Sequence, residues 1–114
     1  MTEYPVAPAH LQPATKTWWH SCVREFELDS HHVRLFQAVS ESWDRLQQAR
    51  EILDREGLVY LDRFGAPRSR PEVAIERDSR IAFARLLREL AFDVSEPEET
   101  RAPDIVGKAA LRSV

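Results

Sequence analysis

Apolar side chains recur along most of this chain at the three-to-four spacing of an α-helix, and hardly anywhere at the alternate spacing of a strand. The first stripe is Trp18, Trp19, Cys22, Val23 and Phe26. Pro13 stands ahead of it, and a first helical turn accepts proline because the missing N–H has no intrahelical partner there. The pattern predicts a helix from Pro13 to about Phe26. A short connection follows, in which Asp29 or Ser30 can accept from the free N–H groups of a second helix. That second helix carries Leu35, Phe36, Val39, Trp43, Leu46, Ala49 and Leu53, and runs to Glu56. Gly57 suits the position just past its end. At ~1.5 Å per residue such a helix is roughly 40 Å long. A third helix starts near Pro71, with Glu72 at the positive end of its dipole. Its stripe of Ile75, Ala82, Phe83, Leu86, Leu87 and Leu90 ends near Phe92.

Between the second and third helices lies the apolar run Leu58-Val59-Tyr60-Leu61, followed by a turn-like Phe64-Gly65-Ala66-Pro67. Both a hairpin and an irregular loop fit it. Residues 1–12 read as an extended arm, since Pro5 and Pro8 disfavour helix around them. Residues 93–114 combine Ser95, Pro97, Pro103 and an excess of acids, and read as a disordered tail. Within that tail, Ile105 to Leu111 is a candidate partner-docking segment. The expected fold is mainly α: an arm, a helical domain over residues 13–92 with a long central helix, and an acidic tail. The central helix looks longer than the rest of the chain can cover. The expectation is therefore that Leu35, Val39, Trp43, Leu46 and Leu53 face a second copy.

Charge changes this picture in one place. The whole chain is acidic, at a formal net charge of -3 over 114 residues. Residues 58–92 alone are net positive, and every cation in that stretch is an arginine. Arg63, Arg68 and Arg70 fall in the loop, and Arg77 and Arg80 on the third helix. Arginine forks match phosphate geometry, so these five are the candidate contacts to a nucleic-acid backbone. Glu72, Glu76 and Asp78 interleave with them, and an ordinary solvated face explains them equally well.

Other chemistry is thin. Three glycines cannot build a phosphate-cradling loop, and no nucleophile elbow is present. The chain is read as non-enzymatic, without catalytic residues, cofactor or metal. His31 and His32 are neighbours on a helix, where backbone geometry sends them ~100° apart and argues against joint chelation. Cys22 is alone, which excludes an internal disulfide, and reads as a small buried hydrophobe. No apolar stretch approaches the ~20 residues of a membrane span, and no signal-peptide core precedes the prolines. The reading is of a cytosolic protein with no membrane partner.

The order of the pieces resembles one family. Ala9-His10-Leu11 leads to Lys16-Thr17-Trp18, and the long helix closes on Arg55-Glu56-Gly57-Leu58-Val59-Tyr60. Arg70-Pro71-Glu72-Val73-Ala74-Ile75 then opens the last helix, which carries Leu86-Leu87-Arg88-Glu89-Leu90. Over roughly residues 8–94 this is similar to the small terminase subunit of tailed double-stranded-DNA phages, in the group often encoded beside an HNH endonuclease and a large terminase. Arg70 stands where that family often carries asparagine. The resemblance implies a homo-oligomeric ring in the cytoplasm of an infected bacterial host. The ring would bind viral DNA at the packaging site and regulate the large terminase subunit, without activity of its own. A small helical transcriptional regulator and a phage structural adaptor that does not touch DNA are the alternatives the residues leave open.

Overall fold

The computed structural model describes residues 3–94, and the side chains of residues 3–90. All but the first two positions of the expected acidic tail, with its Ile105–Leu111 segment, lie outside the described residues. The chain is mainly helical. Helix α1 spans Pro13–Glu25, α2 Ser30–Glu56 and α3 Pro71–Val94, and two short strands, β1 (Val59–Leu61) and β2 (Pro67–Ser69), separate α2 from α3. The region that the sequence left open between hairpin and loop is a two-stranded antiparallel ribbon, with Val59 opposite Ser69, Tyr60 opposite Arg68 and Leu61 opposite Pro67.

The helix ends follow from local chemistry. Pro13 occupies the first turn of α1. Asp29 caps α2 in a capping-box arrangement with His32, whose Nδ1 accepts the Asp29 N–H at 3.2 Å. Gly57 ends α2 at φ 90°, a conformation that strains any residue bearing a Cβ, and its N–H reaches the Leu53 carbonyl.

Helices α2 and α3 lie side by side as an antiparallel pair and form the largest contact in the molecule. Trp43 meets Phe83 at a centroid distance of 5.1 Å, and Phe36 and Val39 share a cluster with Leu90. Helix α1 crosses only one half of this pair. There Trp19, 1% exposed, stacks on Phe36 at 4.7 Å, and Trp18 tilts against the same ring at 5.0 Å. Ala7, Leu11, Val23 and Val39 complete this end of the core.

The stripe of α2 is used differently from expectation. Val39, Leu46 and Leu53 are buried within the single chain, because α3 runs along that face and α1 joins it at the Val39 end. These three are core residues and not a subunit interface. Leu35 is half-buried against the core cluster, and of the five only Trp43, at 38% exposure, keeps substantial accessible surface.

The N-terminal arm is extended, as its prolines require, and it is also fastened down. Trp19 Nε1 donates to the Pro5 carbonyl at 3.0 Å, and His10 Nε2 lies 2.8 Å from a Glu41 carboxylate oxygen. The decisive contact is made by Asp44, a buried carboxylate halfway along α2. It accepts the Gln12 backbone N–H at 2.8 Å and the Thr15 hydroxyl at 2.5 Å. Gln12 is the cap position of α1 and bonds its own helix with no side-chain oxygen. Asp44 thus supplies from another helix the anionic cap that the local sequence lacks.

Replacing Asp44 with alanine leaves two shielded donors without an acceptor, and is expected to cost about 2–3 kcal/mol in urea unfolding. Thr15→Val, which removes one donor and its bond together, should cost about 1 kcal/mol. Equal and negligible effects for both would show that α1 is held by its tryptophans alone.

Candidate nucleic-acid interface

Beyond the reach of α1 the described residues form two helices and the ribbon. The core there is narrow: Leu46, Ala49 and Leu53 are buried, and α3 answers with the half-buried Val73 and Ala74. The ribbon itself is exposed on both faces. Leu58, Val59, Tyr60 and Leu61 all meet solvent, and Phe64 at the tip is 81% exposed.

The tip is built around Asp62. Its Oδ1 accepts the backbone N–H groups of Phe64 and Ala66, each at 2.9 Å, and its Oδ2 accepts Arg68 Nε at 3.0 Å. Gly65, at φ 80°, closes the turn by donating to the Asp62 carbonyl, and the Asp62 N–H returns to Ala66. These donors hold the Asp62 carboxyl below the usual aspartate range, the Ala66 amide first, then Arg68 and then the Phe64 amide. Aspartate followed by a turn glycine is a turn signature, and it is the sequence signal that marks Asp62 as organiser and Phe64 as apex. Neither residue was among the expected site residues.

The five candidate arginines divide by environment. Arg63 lies at the tip with its guanidinium 5.1 Å from the Phe64 ring centroid. Arg68 is exposed beyond its bond to Asp62. Arg70 turns inward over Tyr60 at 5.8 Å, and its shielded Nε has no hydrogen-bond partner among the described residues. Arg77 and Arg80, on the first turns of α3, are paired with Asp78 and Glu76, each at 3.2 Å, and both side chains remain more than half exposed. Ion pairs this exposed contribute little, so the guanidinium groups stay available to a stronger anion. The structure therefore gathers all five arginines onto the ribbon and the adjoining start of α3, and sets Arg70 apart as a packing residue.

Two other constellations differ from the sequence reading in detail. His31 and His32 were expected to diverge, yet their rings lie 4.0 Å apart, and with Asp29 they bring three ligand-type atoms within 4.8 Å. The cause is the capping box, which draws His32 back over the first turn of α2. His32 Nδ1 is already engaged by the Asp29 N–H, and a helix N-terminus disfavours a cation. This cluster is explained by capping. Cys22 is half-buried at the edge of the core, and burial, with Glu25 adding to it, pushes its thiol above the ordinary value. That suppresses the thiolate a nucleophile needs. No helix among the described residues is long and apolar enough to cross a membrane.

A depressed aspartate pKa means that the folded tip is favoured above the ordinary aspartate value and loses that support as pH falls below it. The protection factors of the Phe64 and Ala66 amides, taken relative to intrinsic exchange at each pH, should therefore fall under acid conditions while those of the helices are kept. Asp62→Asn should produce part of the same loss at neutral pH. Unchanged protection at both amides in the variant would mean that the strands, not Asp62, hold the turn.

Comparison of the chain with protein-family models, with curated proteins and with solved structures gives no match.

Proposed function

We propose that this chain is a DNA-binding, self-associating subunit of a phage packaging machine, the small terminase subunit. On this reading it forms a ring, engages double-stranded viral DNA and presents it to the large terminase subunit. The supporting observation is the end of the molecule that α1 does not reach. Exposed arginines and an exposed apolar ribbon lie together there, on an arm only two helices thick. A surface of this kind suits a protein whose neighbours complete it.

The segments that carry the family resemblance also fall at the joints of this arm. Glu56-Gly57-Leu58-Val59-Tyr60 is the exit from α2 into β1, and Arg70-Pro71 is the entry from β2 into α3. In a ring the modest positive charge of one copy is repeated around the circle, so weak contacts add. For self-association the surface now favoured is Leu58, Leu61, Ile75 and Ile81 with Trp43, in place of the buried part of the α2 stripe.

Charge reversal at the exposed arginines tests the DNA-binding half of this reading. The double variant Arg63→Glu, Arg77→Glu should keep its helix content and lose retention of duplex DNA. Its binding should also depend less steeply on salt, with the log–log slope reduced by about 0.9 for each phosphate no longer neutralised. Retention and slope equal to those of the unaltered protein would remove this face as the DNA-binding surface.

A further inference from the structure

The ribbon tip combines features that an ordinary surface turn does not need. Phe64 sits at the apex of a two-stranded ribbon, an element that DNA-binding proteins place in the major or the minor groove. Its ring is covered by no described apolar neighbour, and only the Arg63 guanidinium lies over it. The backbone that carries it is fixed in advance, since Asp62 holds the amides on both sides of Gly65. The one acid of the tip is engaged by those amides and by Arg68, so its charge faces inward to the turn. What projects outward is an aromatic ring with the Arg63 guanidinium against it, while the exposed Arg68 lies on the neighbouring strand.

Phenylalanine and arginine are enriched at protein–protein interfaces as well, but this tip belongs to the net-positive stretch of residues 58–92, where a polyanion is favoured most. Duplex DNA asks for this combination. Proteins that enter the minor groove use arginine on the walls and an apolar wedge between base steps, which opens the step and kinks the duplex. A rigid turn serves that purpose better than a flexible one, because little freedom is lost on insertion.

We propose that Phe64 is a wedge that inserts between base pairs of duplex DNA from the minor groove, with Arg63 and Arg68 on the flanking backbone. The inference rests on the DNA-binding reading above and deepens it. At the base of the ribbon, the exposed Leu58 remains free to meet a neighbouring copy.

The experiment uses the full chain and a mixed-sequence linear duplex with a fluorophore at each end, read by energy transfer and by anisotropy. Binding of the unaltered protein should shorten the end-to-end distance. Phe64→Ala should weaken binding about ten-fold, the scale of one base-stacking interaction, and abolish the shortening. Phe64→Leu, which keeps an apolar wedge, should restore the bend in large part. Thermal unfolding and solution mass should be the same for all three proteins, since the side chain is exposed. Undiminished bending by Phe64→Ala overturns the wedge while leaving DNA binding intact. A fall in solution mass on Phe64→Ala overturns it in favour of a role between subunits. Failure of the unaltered protein to bind duplex at low salt overturns the DNA-binding reading itself, and the wedge with it.

Discussion

Asp44 fastens one helix to the middle of another, and the shape of the rest follows from where that anchor falls. Helix α1 begins without a capping side chain of its own, and the Asp44 carboxylate accepts there the backbone N–H of Gln12 and the hydroxyl of Thr15. This fixes α1 across the first half of α2. Trp19 then has Phe36 beneath it, and the arm before α1 is drawn in so that Ala7 and Leu11 enter the core. Among the described residues, the same placement leaves the second half of α2 with α3 as its only helical neighbour. One end is a closed three-helix core, and the other is a two-helix arm tipped by an exposed ribbon.

That division assigns the parts their roles. The closed end contains the buried tryptophan and the capped histidine pair, which are accounted for by packing and by helix capping. The open end contains the arginines, the exposed aromatic tip and the apolar ribbon. A two-stranded ribbon has little stability in isolation. Asp62 compensates at the tip, and Arg70 compensates at the base by lying over Tyr60.

Much of the fold is legible in the sequence because its signals are local. Pro13, Asp29, Gly57 and Pro71 mark helix ends, and each element starts or stops there to within one residue or so. The apolar stripes identify the helices for the same reason. What escapes is set by packing between distant segments. Val39, Leu46 and Leu53 look like a surplus face until α3 is laid along α2, so periodicity alone assigns them to the wrong side of the protein boundary. Asp44 reads as one more acid on a solvated helix. Its position one turn beyond Ser40 and two beyond Phe36 is the only hint that it shares their buried row. The histidine pair shows the same limit at smaller scale, since a capping hydrogen bond overrides the divergence that ideal helix geometry gives. Of the candidate site, the arginines are legible by charge counting, and the tip only through its Asp62 and Gly65 turn signature, a weaker signal than a repeating stripe because it rests on two residues.

On the proposed reading, further copies of the chain complete the open arm. Light scattering on the purified protein at moderate salt tests this most directly. One sharp species with the mass of many protomers is the expected result. A monodisperse monomer across the accessible concentration range would contradict it.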